Sequence, residues 1–588
     1  PQERILIYAW NPLPILEFSG NGHNDIVAIF FLLVALNYFI DQKHWKGIFF
    51  LSASFSSKIL GIFALFFLKL HRKPSLIVVF FGFVVLACYP FLDEQLSLFR
   101  GLLYYTSELR FNDSLFDCAF LWVEPLFTEY SDAMTGTKFI FAVLMLSLMV
   151  ACWKENVSVL SGVYILLSGL MMFTTQLHPW YLGWILPFAC FYRRNSWILL
   201  SATVALSYLH IFSFHQTGIW YESPGIKFLE YLPFYGFWLL EQFRICSNSR
   251  EKSWIRIGDY FLKVFFLVNF LVLSGFLVFQ GRINLDEGYL LTAAKRTQEG
   301  RILYQETAFT QGPILPKVYG LLLEKFQYSF LTGRILTFAI SLSTVALALC
   351  FSFHQGGRYA LLITSFLLCW NIDYAYFSVL VKTYSLATFF LTLAVFLFLK
   401  APNPYFSATV RVFSVLGFSW MASWTRISLF PFFFCFLGYF FYHATIKKKY
   451  LVLGFSFLMS LSIYWFYPAP FASIYFHLIQ FHLGFTPVEP WGYRKTLLLK
   501  YTYENFYSFC WIALILAFGR LFWIQKSVSF PQERFVLWIT GGVALFHFGV
   551  NTGQPEYQTV LYPIASYFVG IWCGRLLKKK PWRQSIWI

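Results

Sequence analysis

The sequence predicts an all-α polytopic membrane protein, on three observations. Of its 588 residues, 58% are hydrophobic and only 12% charged, whereas soluble domains carry about 25% charged residues. Apolar runs of spanning length recur along the whole chain, and the Lys and Arg residues behind its net charge of +17 gather in short loops between them. A soluble fold of this composition would lack the polar surface needed to cover its core, which excludes that class.

The runs at 25–40, 75–92, 260–280 and 376–399 illustrate the pattern. A hydrocarbon core of roughly 30 Å takes about 20 apolar residues per helix, and dividing the chain on that rule gives about 18 transmembrane helices. The basic clusters His71-Arg72-Lys73, Arg193-Arg194, Lys447-Lys448-Lys449 and Lys578-Lys579-Lys580 mark their loops as cytoplasmic. Charge is therefore read as topology, and nucleic acid is not expected as a partner. The ten cysteines lie mostly within apolar runs (Cys152, Cys190, Cys350, Cys369), without a CxxC pair. They read as small buried residues rather than as a disulfide frame or a zinc site. The chain starts at Pro1 with polar residues, and Trp10-Asn11-Pro12 breaks any opening helix. We read this start as a truncation, with a segment expected upstream.

Order along the chain repeats. Trp10-Asn11 precedes a polar stretch and an apolar run, as Trp370-Asn371 does at an offset of 360. Ser54-Phe55-Ser56-Ser57-Lys58 matches Ala422-Ser423-Trp424-Thr425-Arg426, with Lys58 and Arg426 offset by 368. Long loops follow at 93–133 and 468–505, and Pro179-x-Tyr181-x5-Pro187 matches Pro555-x-Tyr557-x5-Pro563 at an offset of 376. The reading is of two tandem modules in the same orientation: 1–246 is a truncated module without its first external loop, 247–256 a polar cytoplasmic linker, and 257–588 a nearly complete module. Alternation through the second module places 282–313, Asn371–Tyr376, Arg426, 468–505 and 551–558 outside. It places Arg358, Lys400, Lys447–Lys449, 524–534 and the basic tail inside. Arg426 breaks the rule, as a cation at the outer end of two short spans.

The first external loop of the second module carries Asn284-Leu285-Asp286-Glu287-Gly288-Tyr289, then Ala293-Ala294, Glu299-Gly300-Arg301-Ile302-Leu303-Tyr304 and Gln311-Gly312-Pro313. Loop acids are ordinarily just solvated, but adjacent carboxylates anchored beyond a membrane helix also suit a general base at a wet cleft. The stretch that follows them is amphipathic enough to lie along the membrane surface. This pattern resembles the first external loop of GT-C fold glycosyltransferases of the protein O-mannosyltransferase and aminoarabinose-transferase type. The first module is similar to the polyprenyl-phosphate-mannose-dependent α-mannosyltransferases through Trp10-Asn11-Pro12-Leu13, Glu17, Gly22-His23-Asn24-Asp25, Phe111-Asn112 and His178-Pro179-Trp180-Tyr181. Together the resemblances span most of the chain.

They imply a GT-C-like multi-helix bundle in a plasma membrane (the inner membrane of a bacterium) with its site on the extracytoplasmic face. A polyprenyl-phosphate sugar would be the donor, and a glycan, lipid or protein the acceptor. Asp286 or Glu287 would deprotonate the acceptor hydroxyl. Arg426 would meet the donor phosphate, with Lys382 second and Arg301 a loop alternative; Arg suits phosphate through its planar fork. Snorkelling to headgroups is the plain alternative for Arg426. Lys382, inside an apolar run, demands a partner or a water-filled cavity. In the first module Lys58 takes the Arg426 place, and His23 and Asp25 lie near that of Lys382. His178 opens a His-Pro-Trp-Tyr motif, a lone interfacial histidine of the kind that usually anchors. That module is expected to be inactive alone.

No cluster has metal-ligand spacing; no cofactor beyond the lipid-linked sugar is expected, and a divalent ion at Asp286 and Glu287 is not predicted. Asn112-Asp113-Ser114 and Asn156-Val157-Ser158 are formal glycosylation sequons. Gly20-Asn21-Gly22 lacks the context of a phosphate-binding loop. A transporter or lipid flippase is the alternative function, because parallel repeats also build transporters, and a non-catalytic membrane scaffold is the third. Polar residues gathered at external span ends favour the enzyme.

Overall fold

The computed structural model describes residues 4–68, 74–93, 100, 104, 109–192, 195–247, 252–326, 328–399, 408–481, 531–550 and 555–579. The basic clusters 71–73 and 193–194, the loop 482–505, residues 400, 524–530 and 551–554, and the tail from 580 lie outside them. The described residues are helical, with only two isolated β-bridges. Two compact units emerge, one of residues 1–124 and 137–265, the other of 125–136 and 266–588. The second boundary falls at Phe265 and Phe266, inside a helix.

The first unit comprises α1 (Asp25–Ile40), α2 (His44–Ser57), α3 (Pro74–Cys88), most of α4 (Tyr130–Lys154), α5 (Val159–Phe173), α6 (Asn195–Thr203) and α7 (Pro224–Ser247). Its core joins Ile29, Leu32 and Leu36 of α1 to Ile48 and Leu51 of α2, Leu167 of α5 and Trp197 of α6. The approach of α1 and α2 is close enough for the Ser54 hydroxyl to donate to Ala28 O at 2.8 Å, which satisfies a polar group that the membrane would not. Before α1 a π-helical turn, Ile15–Gly20, carries Glu17 inward.

The second unit contains the end of α8 (Lys252–Gln280), then α9 (Leu285–Gln298), α10 (Ile314–Leu323), α11 (Phe330–Cys369), α12 (Thr383–Leu399), α13 (Ala408–Thr425), α14 (Phe430–His443), α15 (Ile446–Phe466), α16 (Pro531–Val550) and α17 (Tyr562–Lys579). The 40 residues of α11 break at Gly357, whose φ of 72° and ψ of −160° only glycine adopts readily. Small residues bring α11 against α17: a Cβ on Gly574 would sit 2.9 Å from Ala360 N, and one on Gly356 would sit 3.2 Å from Ile571 Cα. Membrane helices approach closely in this way, through small residues.

The expected 18 transmembrane helices are not found. Among the described residues four helices are long and apolar enough to cross a membrane: Pro74–Phe91, Tyr130–Lys154, Asn195–Thr217 and Phe330–Cys369. Two bent pairs raise the number to six: Pro12–Gly20 with Asp25–Ile40 at 116°, and Val264–Gln280 with Leu285–Gln298 at 79°. The quotient of length by span fails because it takes every apolar stretch as one straight helix. Val159–Phe173, Ile314–Leu323, Thr383–Leu399 and Ile427–His443 are apolar but shorter. The last of these begins as a 3-10 turn at Ile427–Leu429 and becomes α-helical at Phe430, with Pro431 in its first turn.

Candidate functional site

Local backbone explains the repeated motifs. Asn11 and Asn371 each cap a short helix, their side chains accepting from Leu13 N and Tyr374 N. Lys58 and Arg426 are each extended residues that end one helix and precede a 3-10 turn. Each then lies near the tyrosine of the third motif: Lys58 Nζ is 6.0 Å from the Tyr181 ring and the Arg426 guanidinium 4.7 Å from that of Tyr557.

In the second unit the adjacent acids have opposite environments. Asn284 caps α9 in a capping box, with Glu287 as its reciprocal acid. Glu287 is fully buried and meets the Arg334 guanidinium through both oxygens, at 2.9 and 2.6 Å. It also accepts from Val381 N and Asn284 N, both at 3.1 Å. Arg334 in turn donates to Leu277 O, Gly281 O and Arg282 O, closing the end of α8. Glu287 is thus committed to holding the α8–α9 corner. Asp286 is 62% exposed, and its carboxylate lies 2.9 Å from Lys382 Nζ.

Lys382 stands just before α12 and also meets Glu556 at 3.0 Å. Burial opposes its charge, but Glu556 and Asp286 together hold its pKa above the usual lysine value. Arg426 is buried, donates to Thr383 Oγ1 at 3.3 Å, and lies over the rings of Tyr384 and Tyr557 at 4.4 and 4.7 Å. Its Nε has no hydrogen-bond partner, and among the described residues no carboxylate pairs with it. His547, buried on α16, shares a 2.8 Å hydrogen bond with Ser428 beside this corner. Gly312, from the Gln-Gly-Pro motif, fixes the loop here, since a Cβ would lie 1.8 Å from Trp424 O. Around it Tyr304 donates to Gln311 O and Tyr467 to Pro313 O.

The structure therefore brings together Asp286, Lys382 and Arg426, and sets Glu287 apart as their support. Arg301 does not join them; it pairs with Glu306 at 3.7 Å on the surface. Glu556, Tyr384, His547 and Arg334 were not singled out in the sequence. Arg334 did carry a signal, as a charge inside an apolar run. Glu556 lay in a repeat whose shared positions were Pro and Tyr.

In the first unit the four expected residues also converge. Asp25, buried at the start of α1, lies 3.6 Å from Lys58 and accepts from Trp184 Nε1 at 2.9 Å. His23 stacks on Trp180 at 3.9 Å, Trp180 on His178 at 4.4 Å, and His178 on Phe111 at 4.5 Å. Burial first, then His23 and Lys58, push the His178 pKa down from 6.5 to about 4, with Glu222 opposing. Asn112 of the first sequon is buried and donates to Glu230 at 2.8 Å, which closes it to modification in the folded chain. Among the described residues no group of three or more His, Cys, Asp or Glu side chains is placed to hold a metal ion.

No model of a known family matches this chain, and neither does any curated protein or solved structure.

Proposed function

We propose that this membrane protein is a glycosyltransferase that moves one sugar from a polyprenyl-phosphate donor to an acceptor hydroxyl on the extracytoplasmic face. The observation that carries this reading is an exposed carboxylate, Asp286, bonded to a buried lysine beside a buried arginine that no carboxylate among the described residues pairs with. A buried guanidinium without a counter-charge is costly, and an arriving phosphate group would relieve it. Asp286 takes the hydroxyl proton as the acceptor oxygen bonds to the anomeric carbon. The bond from that carbon to the phosphate oxygen breaks, and the departing lipid phosphate is met by Arg426, already in place, and by Lys382, whose pair with Asp286 weakens as that carboxylate takes the proton. Glu287 positions Asp286 rather than sharing its role.

The resemblance of the loop motif supports this reading. The transporter reading has one observation of its own: each unit contains a bent helix pair, and broken helices hold transporter sites. Transfer of labelled sugar from a polyprenyl-phosphate donor, in membranes holding the wild-type chain, Asp286→Asn or Glu287→Gln, separates the two. Loss of most transfer in folded Asp286→Asn is expected. Full activity in that variant would remove the loop as the catalytic site, and no transfer from any donor by intact wild type would favour the transporter.

A further inference from the structure

The first unit holds a second group of titratable side chains that the reading above does not use. Glu17 is fully buried on the π-helical turn Ile15–Gly20, a distortion frequent at functional sites. Its carboxylate accepts from the Tyr208 hydroxyl and from Asn21 Nδ2, and lies 3.5 Å from His23 Nε2. Gly22, at φ 72°, makes the turn that returns His23 to Glu17, and His23 N donates to Glu17 O at 3.1 Å. Trp180 stacks on the imidazole at 3.9 Å and fixes its plane. The His23 side chain nevertheless remains 31% exposed, and that of Lys58, paired to Asp25 two residues further on, 34% exposed.

We propose that Glu17 and His23 form a second acid–base centre in the first unit, with His23 as the base toward a hydroxyl and Lys58 as the cation for a phosphate-bearing co-substrate. A partly exposed imidazole within ion-pair distance of a buried carboxylate, its plane fixed by a stacked ring, is an arrangement that suits a proton acceptor. Glu17 lies on the Nε2 side of the ring at 3.5 Å, which leaves Nδ1 for the substrate. His23 takes the proton of an acceptor hydroxyl as its oxygen bonds to the anomeric carbon of a glycosyl phosphate. The carbon–oxygen bond to phosphate breaks, and the phosphate leaves with the electron pair toward Lys58. Lys58 must loosen its pair with Asp25, which at 3.6 Å is the weaker of the Asp25 contacts; the Trp184 hydrogen bond keeps Asp25 in place. The first unit is then active in its own right, and not the inert module expected from the sequence.

This rests on the reading of the chain as a glycosyltransferase, so the test is made on the full-length protein with a polyprenyl-phosphate sugar as the probe. Asp286→Asn should retain a residual transfer, and adding His23→Ala should lower that residue at least tenfold. Imidazole in the buffer should then restore part of it, a result that a structural role for His23 would not give. Glu17→Gln, acting through His23, should lower kcat and leave KM near its original value. His23→Gln serves where the alanine variant is poorly folded. A residual transfer unchanged by His23→Ala, or no residual transfer in Asp286→Asn, overturns the second centre while the function of the second unit stands. Absence of transfer in the wild-type chain removes both.

Discussion

Replacing Asp286 by asparagine keeps the shape of the side chain and removes its basicity, while Lys382 keeps Glu556 as a partner. Transfer at this site should fall about 10²-fold or more, the usual contribution of a general base, when read in a His23→Ala background. Glu287→Gln should act differently. It leaves the buried Arg334 guanidinium without its carboxylate, a loss of roughly 3–5 kcal/mol, so the melting temperature in detergent falls along with activity. Arg426→Met should do the reverse, keeping or raising stability, because a buried charge with no carboxylate partner among the described residues is replaced by an apolar stem. Transfer should drop about 10²-fold with it. His178 gives the first unit a pH dependence. Above pH 6.5 the imidazole is neutral folded or unfolded; below it the unfolded ring binds a proton that the folded ring refuses until about pH 4. Stability should therefore decline as pH falls through that window, and His178→Gln should flatten the decline.

At the scale of elements, the corner between α8 and α9 governs the site. Asp286 and Glu287 are successive residues of one helix and so point about 100° apart. Because Glu287 is locked to Arg334, its neighbour's direction is fixed. The loop carrying Gly312 closes the other side. Gly312→Ala would push a methyl group into Trp424 O and shift the turn that carries Arg426, so that donor binding weakens. A rise in the donor KM larger than the change in melting temperature would show it. The sequence made part of this corner legible: the acids, the Gln-Gly-Pro motif and the Lys58–Arg426 offset all pointed here. What it did not reveal was which acid is anchored, because that depends on Arg334, 47 residues away. Glu17 was noted only within a resemblance, since its pairing with Tyr208 spans 191 residues.

For the whole molecule, composition identified the class, and the arithmetic of span length misjudged the count. Proline residues and 3-10 turns divide apolar sequence into pieces that no hydrophobicity sum distinguishes from full spans. Orientation is testable across the entire chain. In a background without native cysteines, Leu285→Cys, at a site 93% exposed beside Asp286, should react with an impermeant thiol reagent from outside the cell. Lys448→Cys, in the basic cluster, should react only after the membrane is opened. Labelling of both from one side would invalidate the topology.

The brevity of several apolar helices has a mechanical consequence. The α5 helix is 15 residues long and is bounded by extended residues at Ser158 and Thr174, so it reaches only about 22 Å against a hydrocarbon slab of roughly 30 Å. Such a helix does not cross the slab by itself, and with Val163, Leu166 and Leu167 buried among its neighbours it meets other helices rather than lipid. Its shortness is therefore matched inside the protein, where packing against longer helices takes the place that acyl chains would otherwise fill.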